Sequence, residues 1–339
     1  MPTREVLSPS QRAPFIEIPA AIGERELARY YTLSPDEVAA VVQRRRPHNR
    51  LGFGVQLCYL RFPGRPLRAD EQVPAPVLAY IATQLELDPA VMRDYAQDRD
   101  ETRREHLSEI QRTFGFHPFD APAYRELAAW LLPTALGTDS GVALVAALVE
   151  EMRARKIVAP ALYLIERLAW ETRRRAQRQV FQRLTAGLTP ADHARLDALL
   201  TVAPGRRQTP LVWLRQPPGK PSPPTILALI ERLTSIRALG LDHTLTRQVH
   251  QNRLLQLARE GGRYSPAFLA RFEPTRRYAT LVAFLIETAA TLTDQILAMH
   301  DRLMTGYLRR SEQAHATRFH ASGKAINERS GSTPLWARP

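Results

Sequence analysis

Seven arginines and no acid lie between Arg44 and Arg68, and the acid-free run extends from Val38 to Ala69. Guanidinium groups at this density suit phosphates, because each one neutralises a backbone charge and releases a counterion. Their planar fork also matches a guanine edge. One shoulder of the stretch holds Arg44, Arg45, Arg46, His48, Asn49 and Arg50, the other Arg61, Arg65 and Arg68. Arg103 and Arg104 add two cations further along. Between the shoulders, Leu51, Val55, Cys58 and Phe62 recur at spacings of four, three and four, which is one face of an α-helix. The spacing predicts a buried helix over 51–62 with two cationic flanks free to meet phosphates. An ordinary core helix with solvated arginines fits the same letters.

Other chemistry is harder to find. Asp294 and Asp301 are seven apart beside His300, which could make a metal pair on one helix face but suits a polar face opposite an apolar stripe better. His250 and Asn252 read as polar helix residues. There is neither a G-x-x-x-x-G-K-[ST] phosphate loop nor a G-x-S-x-G nucleophile elbow. Cys58 is the only cysteine, so an internal disulfide and a cysteine zinc site are excluded. It lies on the apolar stripe and reads as a small core residue. No catalytic centre and no resident cofactor are expected.

The 339 residues carry 47 Lys plus Arg against 34 Asp plus Glu, a net charge of +13. That excess favours a polyanionic partner. Only Lys156, Lys220 and Lys324 are lysines; an arginine bias also follows from a GC-rich genome. The N-terminus lacks an apolar signal-peptide core. The most apolar windows, 141–149 and 279–286, are too short to span a bilayer. A cytoplasmic, bacterial-type protein with no membrane partner is expected.

The elements that must position the arginines are helices throughout. Ser34-Pro35-Asp36-Glu37 is a helix start with a capping box, and that helix should stop before Pro47. Over 77–97, two short helices flank a turn at Asp88-Pro89, a helix-turn-helix pattern. The pattern returns 29 positions later: Ile81 matches Ile110, Leu85 Phe114, Leu87 Phe116, Pro89 Pro118 and Tyr95 Tyr124. Two unrelated helical hairpins would also account for it. In a tandem pair, the second helices would present Arg93, Gln97 and Arg125 to base edges or nearby phosphates. Amphipathic helices follow over 139–156 and 161–184, the latter with a basic middle, Arg173-Arg174-Arg175-Ala176-Gln177-Arg178, that reads as a solvated face. Residues 203–224 are proline-rich and should form a stiff connector. A last helix over 275–310 carries a stripe of Leu281, Leu285, Thr288, Leu292, Gln295, Met299 and Leu303, suited to packing on a partner helix inside the chain or between chains. No stretch sustains strand alternation, and the chain is expected to be all-α.

These residues also carry a family resemblance. RRPHNRLGFGVQLCYLRFPGRPL, YIATQLELDP, TRREHLSEIQRTFGF and YRELAAWLLPTALGTDSG, followed by WLRQPPGKPSP, ILALIERLTSIRALGL, VHQNRLLQLAREG, FEPTRRYATLVAFL, LTDQILAMHDRL and GKAINE, resemble the N-terminal region of class II replicative transposases, the Tn-three family. The likeness runs from about Ser34 to Glu328. It implies tandem helical DNA-binding modules over 1–98 and 99–158, a third helical region over 159–202, the connector at 203–224, and a dimerisation and DNA-handling region over 225–329. The implied partner is double-stranded DNA, the terminal inverted repeats of the transposon, bound by a homodimer at the nucleoid. The family's Asp-Asp-Glu site, on a ribonuclease-H-like domain using Mg²⁺, would lie beyond Glu328, so none of its catalytic residues transfers to this chain. Residues 330–339 do not resemble the family and read as a truncated end. A helix-turn-helix transcription regulator and an all-α structural protein without a nucleic-acid role remain the competing classes.

Overall fold

The computed structural model describes residues 6–18, 22–68, 71–97 and 100–330. Sixteen α-helices form among them, in two compact units, Met1–Gln179 and Val180–Pro339. The first unit holds α1 (Pro9–Ile16), α2 (Glu24–Tyr31), α3 (Pro35–Val42), α4 (Pro47–Arg61), α5 (Ala75–Gln84), α6 (Met92–Gln97), α7 (Asp100–Phe114), α8 (Ala121–Gly137), α9 (Gly141–Ala154) and most of α10 (Leu162–Thr185). The second holds α11 (Pro190–Ala198), α12 (Pro210–Leu214), α13 (Pro223–Arg237), α14 (Gln251–Arg263), α15 (Pro266–Ala270) and α16 (Pro274–Ser330). The only β pairing among the described residues is an isolated parallel bridge between His117 and Ile157. The fold is all-α, as the missing strand alternation implies.

Local chemistry sets the helix starts. Ser34, Asp120, Ser140, Thr189, Thr209, Ser222 and Ser265 each accept a backbone N–H at a helix N-terminus, satisfying donors that the helix itself cannot. The Ser34 capping box is complete: Ser34 N–H donates to Glu37 at 2.7 Å, and Glu37 N–H to Ser34 Oγ at 3.3 Å. The helix stops are equally specific. Glu86, Gly115 and Lys156 take φ of 53°, 70° and 55°. The next residue's N–H reaches back five residues in each case, Leu87 to Ala82 O, Phe116 to Gln111 O and Ile157 to Met152 O. These are Schellman stops.

In the first unit, α4 is the central element. It begins at Pro47, earlier than the apolar spacing alone predicts, because a first-turn proline loses no hydrogen bond. Every residue from Leu51 to Leu60 is buried, so the expected stripe is a full circumference, wrapped by α2, α3, α5, α6 and α7. Gly52 lets the Tyr95 ring of α6 lie directly on the α4 backbone. A second apolar cluster joins Leu7 to α8, α9 and α10 through Leu127, Leu131, Leu144, Leu148, Ile165 and Leu168.

The second unit packs α11, α13 and α14 against the first half of α16. Residues 203–224 are not merely a connector, since α12 buries Leu211 and Leu214 in this unit's core. The partner of the α16 stripe lies within the chain: Leu281, Leu285, Leu292 and Met299 are buried in the same cluster. The helix then continues past the expected end at Arg310 to Ser330, and Met304, Tyr307, Leu308 and Phe319 are exposed. Over 274–322, α16 is long and apolar enough to cross a membrane by length and composition, with one 18-residue window of mean hydropathy 1.4. The short-window argument therefore does not hold for this helix. Within it Leu281, Val282 and Leu285 are fully covered by protein, whereas Leu297 is exposed.

Candidate nucleic-acid interface

Folding divides the arginine belt. Arg44 makes a two-pronged ion pair with Glu109 of α7, at 2.7 and 2.5 Å, and its guanidinium lies 4.8 Å from the Phe53 ring centre. Arg50 donates to Arg44 O at 2.7 Å. Arg61 donates to Thr32 O at 2.7 Å and pairs with Glu37 at 3.0 Å. Arg65 grips Glu71 at 2.6 and 2.7 Å. Arg103 is 9% exposed and lies over the Tyr95 ring. All five side chains are engaged within the fold. The acids that claim Arg44, Arg61 and Arg65 stand outside the acid-free run and are brought back by the fold.

Four phosphate candidates remain outward. Arg45 and Arg46 occupy the corner between α3 and α4 and are exposed without an ion pair among the described residues. Arg46 is the N-cap of α4, so both cations sit at the positive end of a 15-residue helix, where an anion is favoured. Arg68 and Arg104 are exposed as well. His48 and Asn49 are half-buried in the first turn of α4. The Arg44–Glu109 pair ties the 44–46 corner to α7, the helix that carries Arg104.

Of the base-reading candidates, Arg93 is exposed on α6. Arg125 is exposed on α8, its Nε bonded to Ala121 O at 3.2 Å. The Gln97 side chain lies outside the described residues. The 29-residue recurrence is real at the helix stops, where Glu86 and Gly115, and the bonds from Leu87 and Phe116, are each 29 positions apart. Past the stops the copies diverge. Asp88 caps a 3-10 turn, Pro89–Val91, leading into the six-residue α6. Pro118 precedes Asp120, which caps the 17-residue α8. Tyr95 is fully buried against α4, while Tyr124 is half-buried and donates to Glu171.

A polar network inside the first core fixes α6 and α7 relative to α4. Gln56 is 2% exposed and its Nε2 donates to Tyr95 Oη at 2.5 Å and to Arg103 O at 3.3 Å. Tyr95 Oη in turn pairs with His106 Nδ1 at 3.2 Å. A buried network of this kind rigidifies when satisfied, so it holds the helices bearing Arg93 and Arg104 in one arrangement. Sequence reasoning passed over Gln56; a glutamine within an unbroken apolar turn was the available signal.

The other chemical candidates are structural. Cys58 is fully buried, and burial pushes its thiol up to about 12, so it is no nucleophile at neutral pH. His250 caps α14 by accepting the Asn252 N–H at 3.2 Å. Asp294, His300 and Asp301 are exposed. No cluster of three or more His, Cys, Asp or Glu is placed to hold a metal ion among the described residues.

Comparison with known proteins supplies the context for this surface. Over 329 residues, 97% of the chain, it is 46% identical to the transposase for transposon Tn3926 of Escherichia coli. Along nearly its whole length the chain is homologous to Tn-three family transposases. It is also 44% identical to the transposase for transposon Tn21 of Escherichia coli over 96% of its length, and 40% identical to that for Tn501 of Pseudomonas aeruginosa over 97%. Residues 6–172 match a family described as a domain of unknown function, DUF4158, which covers the arginine belt, both helix stops and the first part of α10. The chain spans about a third, 33%, of the length of each of these three transposases.

Proposed function

We propose that this chain is the DNA-recognition part of a class II transposase, and that it binds the terminal inverted repeats of its transposon as double-stranded DNA. The observation that carries this reading is the relationship to transposases over nearly the whole chain. The outward set of Arg45, Arg46, Arg68 and Arg104 supports it, because all four are exposed and none of their guanidinium groups is in an ion pair among the described residues. In this reading they hold backbone phosphates, and Arg93 and Arg125, with Gln97, read base edges. The active form is a homodimer, with α16 contributing to association, in the cytoplasm at the nucleoid. Strand cleavage and joining, with their Mg²⁺, belong to the two thirds of the family's length that this chain does not span, and the chain itself needs no cofactor.

The test is a mobility shift of labelled duplexes bearing the Tn3926 and Tn21 terminal inverted repeats against random duplexes of equal length. The expected result is retention of at least one repeat under a competitor excess that strips random DNA. Equal affinity for repeat and random duplexes would refute recognition of the repeats. The same protein with Mg²⁺ or Mn²⁺ is expected to leave the duplex un-nicked. Metal-dependent cleavage that co-purifies with the chain would refute the assignment of catalysis elsewhere.

A further inference from the structure

Helix α10 carries two acids ahead of its arginine run, and both are already engaged. Glu166 is buried and pairs with Arg12 at 3.0 Å. Glu171 accepts hydrogen bonds from Tyr124 Oη and from Arg167 Nε, the latter at 2.9 Å. Arg173 is likewise spent, bound by both its Nε and Nη2 to Asp139 at 2.7 and 2.6 Å. What remains outward is Arg174, Arg175 and Arg178, all exposed and none in an ion pair among the described residues. A solvated helix face usually interleaves acids and bases one turn apart; here the acids are committed and the bases are left.

The three arginines border a groove between α8 and α10. Its volume is about 520 Å³, and Tyr124 and Ala128 form the opposite wall. Aromatic rings are interleaved with the cations. Tyr163, Arg167, Trp170, Arg174 and Arg178 step by four, three, four and four, a single helix face. Tyr163 is 67% exposed, and the Arg174 guanidinium lies 5.2 Å from the Trp170 ring centre. Stacking on Trp170 presets the Arg174 fork while leaving its N–H edge free to donate.

We propose that the α8–α10 groove is a second DNA-backbone site, separate from the α3–α4 corner, in which Arg174, Arg175 and Arg178 hold phosphates beside the Trp170 ring. This rests on the DNA-binding reading above. The proposed contacts are to phosphates rather than to base edges. The site therefore adds affinity for any duplex and lengthens the contacted tract, leaving the choice of repeat to other helices.

The experiment is a salt titration of binding to repeat and random duplexes, for the parent chain, Arg174→Gln/Arg178→Gln, and Arg175→Gln. With two phosphate contacts removed, the slope of log K against log salt should become shallower by about two on both duplexes, and by about one for the single variant. The preference ratio and the thermal midpoint should stay parental. Parental affinity and slope in both variants would overturn the proposal. A loss confined to the inverted repeat would overturn the backbone assignment and make this a base-reading groove. If the parent binds neither duplex, the proposed function has failed first and takes this site with it. As an independent readout, DNA should quench tryptophan fluorescence in the parent and lose most of that quench in Trp170→Phe; an unchanged quench would place DNA elsewhere.

Discussion

Gly52→Ala should be the most damaging single-methyl change in α4, and Gly54→Ala, two residues on, should be harmless. Both are helical glycines, so both gain about 1 kcal/mol of intrinsic helix propensity from alanine. They differ in what the new Cβ meets. At Gly52 it would fall on three carbons of the Tyr95 ring, far inside the roughly 3.5 Å at which carbons touch. That ring is fully buried and cannot swing into solvent. Overpacking of this kind costs about 1–3 kcal/mol. Displacing the ring also breaks the 2.5 Å bond from Gln56, leaving one N–H of a buried amide without its acceptor, the other bond of that nitrogen being the 3.3 Å one to Arg103 O, at about 1–3 kcal/mol. After the propensity gain, the net loss is about 3 kcal/mol. At Gly54 the Cβ would meet Leu85 Cδ1 at 3.3 Å and Ile81 Cγ2 at 3.5 Å. These are ends of flexible side chains that can give by a few tenths of an ångström. The expected change there lies between zero and a gain of about 1 kcal/mol.

The assay is thermal unfolding of the full chain followed by circular dichroism, with hydrogen exchange over 92–97 as a local readout. For a unit of this size, about 3 kcal/mol corresponds to a fall of roughly 6–12 °C in its transition. Exchange at 92–97 should rise in Gly52→Ala and stay parental in Gly54→Ala. A Gly52→Ala chain as stable as the parent would mean that α6 does not sit on α4 through Tyr95. The arrangement of Arg93 against the α4 scaffold would then be wrong too.

Three further outcomes follow from the same geometry. Arg45→Ala should weaken binding to repeat and random duplexes alike and flatten the salt slope by about one, while Arg44→Ala, by orphaning half-buried Glu109, should instead lower the thermal midpoint; reversed results would exchange their roles. Leu292→Asp puts a charge on a residue 5% exposed and should destabilise the second unit by several kcal/mol, so an unchanged melt would place that stripe in solvent. Burial raises the Glu71 carboxyl, but hydrogen bonds and charge from Arg65, with the Arg68 N–H, outweigh it and hold the carboxyl below its usual range. Its folded pKa is depressed, so its contribution is present above the ordinary carboxylate range near 4.3 and is lost as pH falls through the lower folded value; Glu71→Gln should flatten the acid limb of stability relative to the parent, and an identical acid limb would refute the pair.

Which parts of this were legible in the sequence depends on the range of the interaction. The capping box at Ser34 and the helix start at Thr189 are local, and the letters within four residues decide them. The 29-residue recurrence was legible too, because a Schellman stop needs only an apolar residue, a left-handed residue and another apolar residue in order. Its physical content is a repeated way of ending a helix, and the helices that follow the two stops differ almost threefold in length. The division of the arginines was not legible. Arg44 and Arg45 are adjacent and chemically identical, yet one meets Glu109, 65 residues away, and the other meets water. The outcome turns on which side of the α3–α4 corner each side chain leaves from. An acid-free run in sequence is thus a poor guide to an acid-free surface. The same logic runs the other way on α10, where Arg174, Arg175 and Arg178 are left without an ion pair among the described residues, Glu166 and Glu171 being engaged by other groups. For a chain rich in arginine, the phosphate-facing set is defined by the acids the fold has already consumed, and only the three-dimensional pairing shows which cations remain.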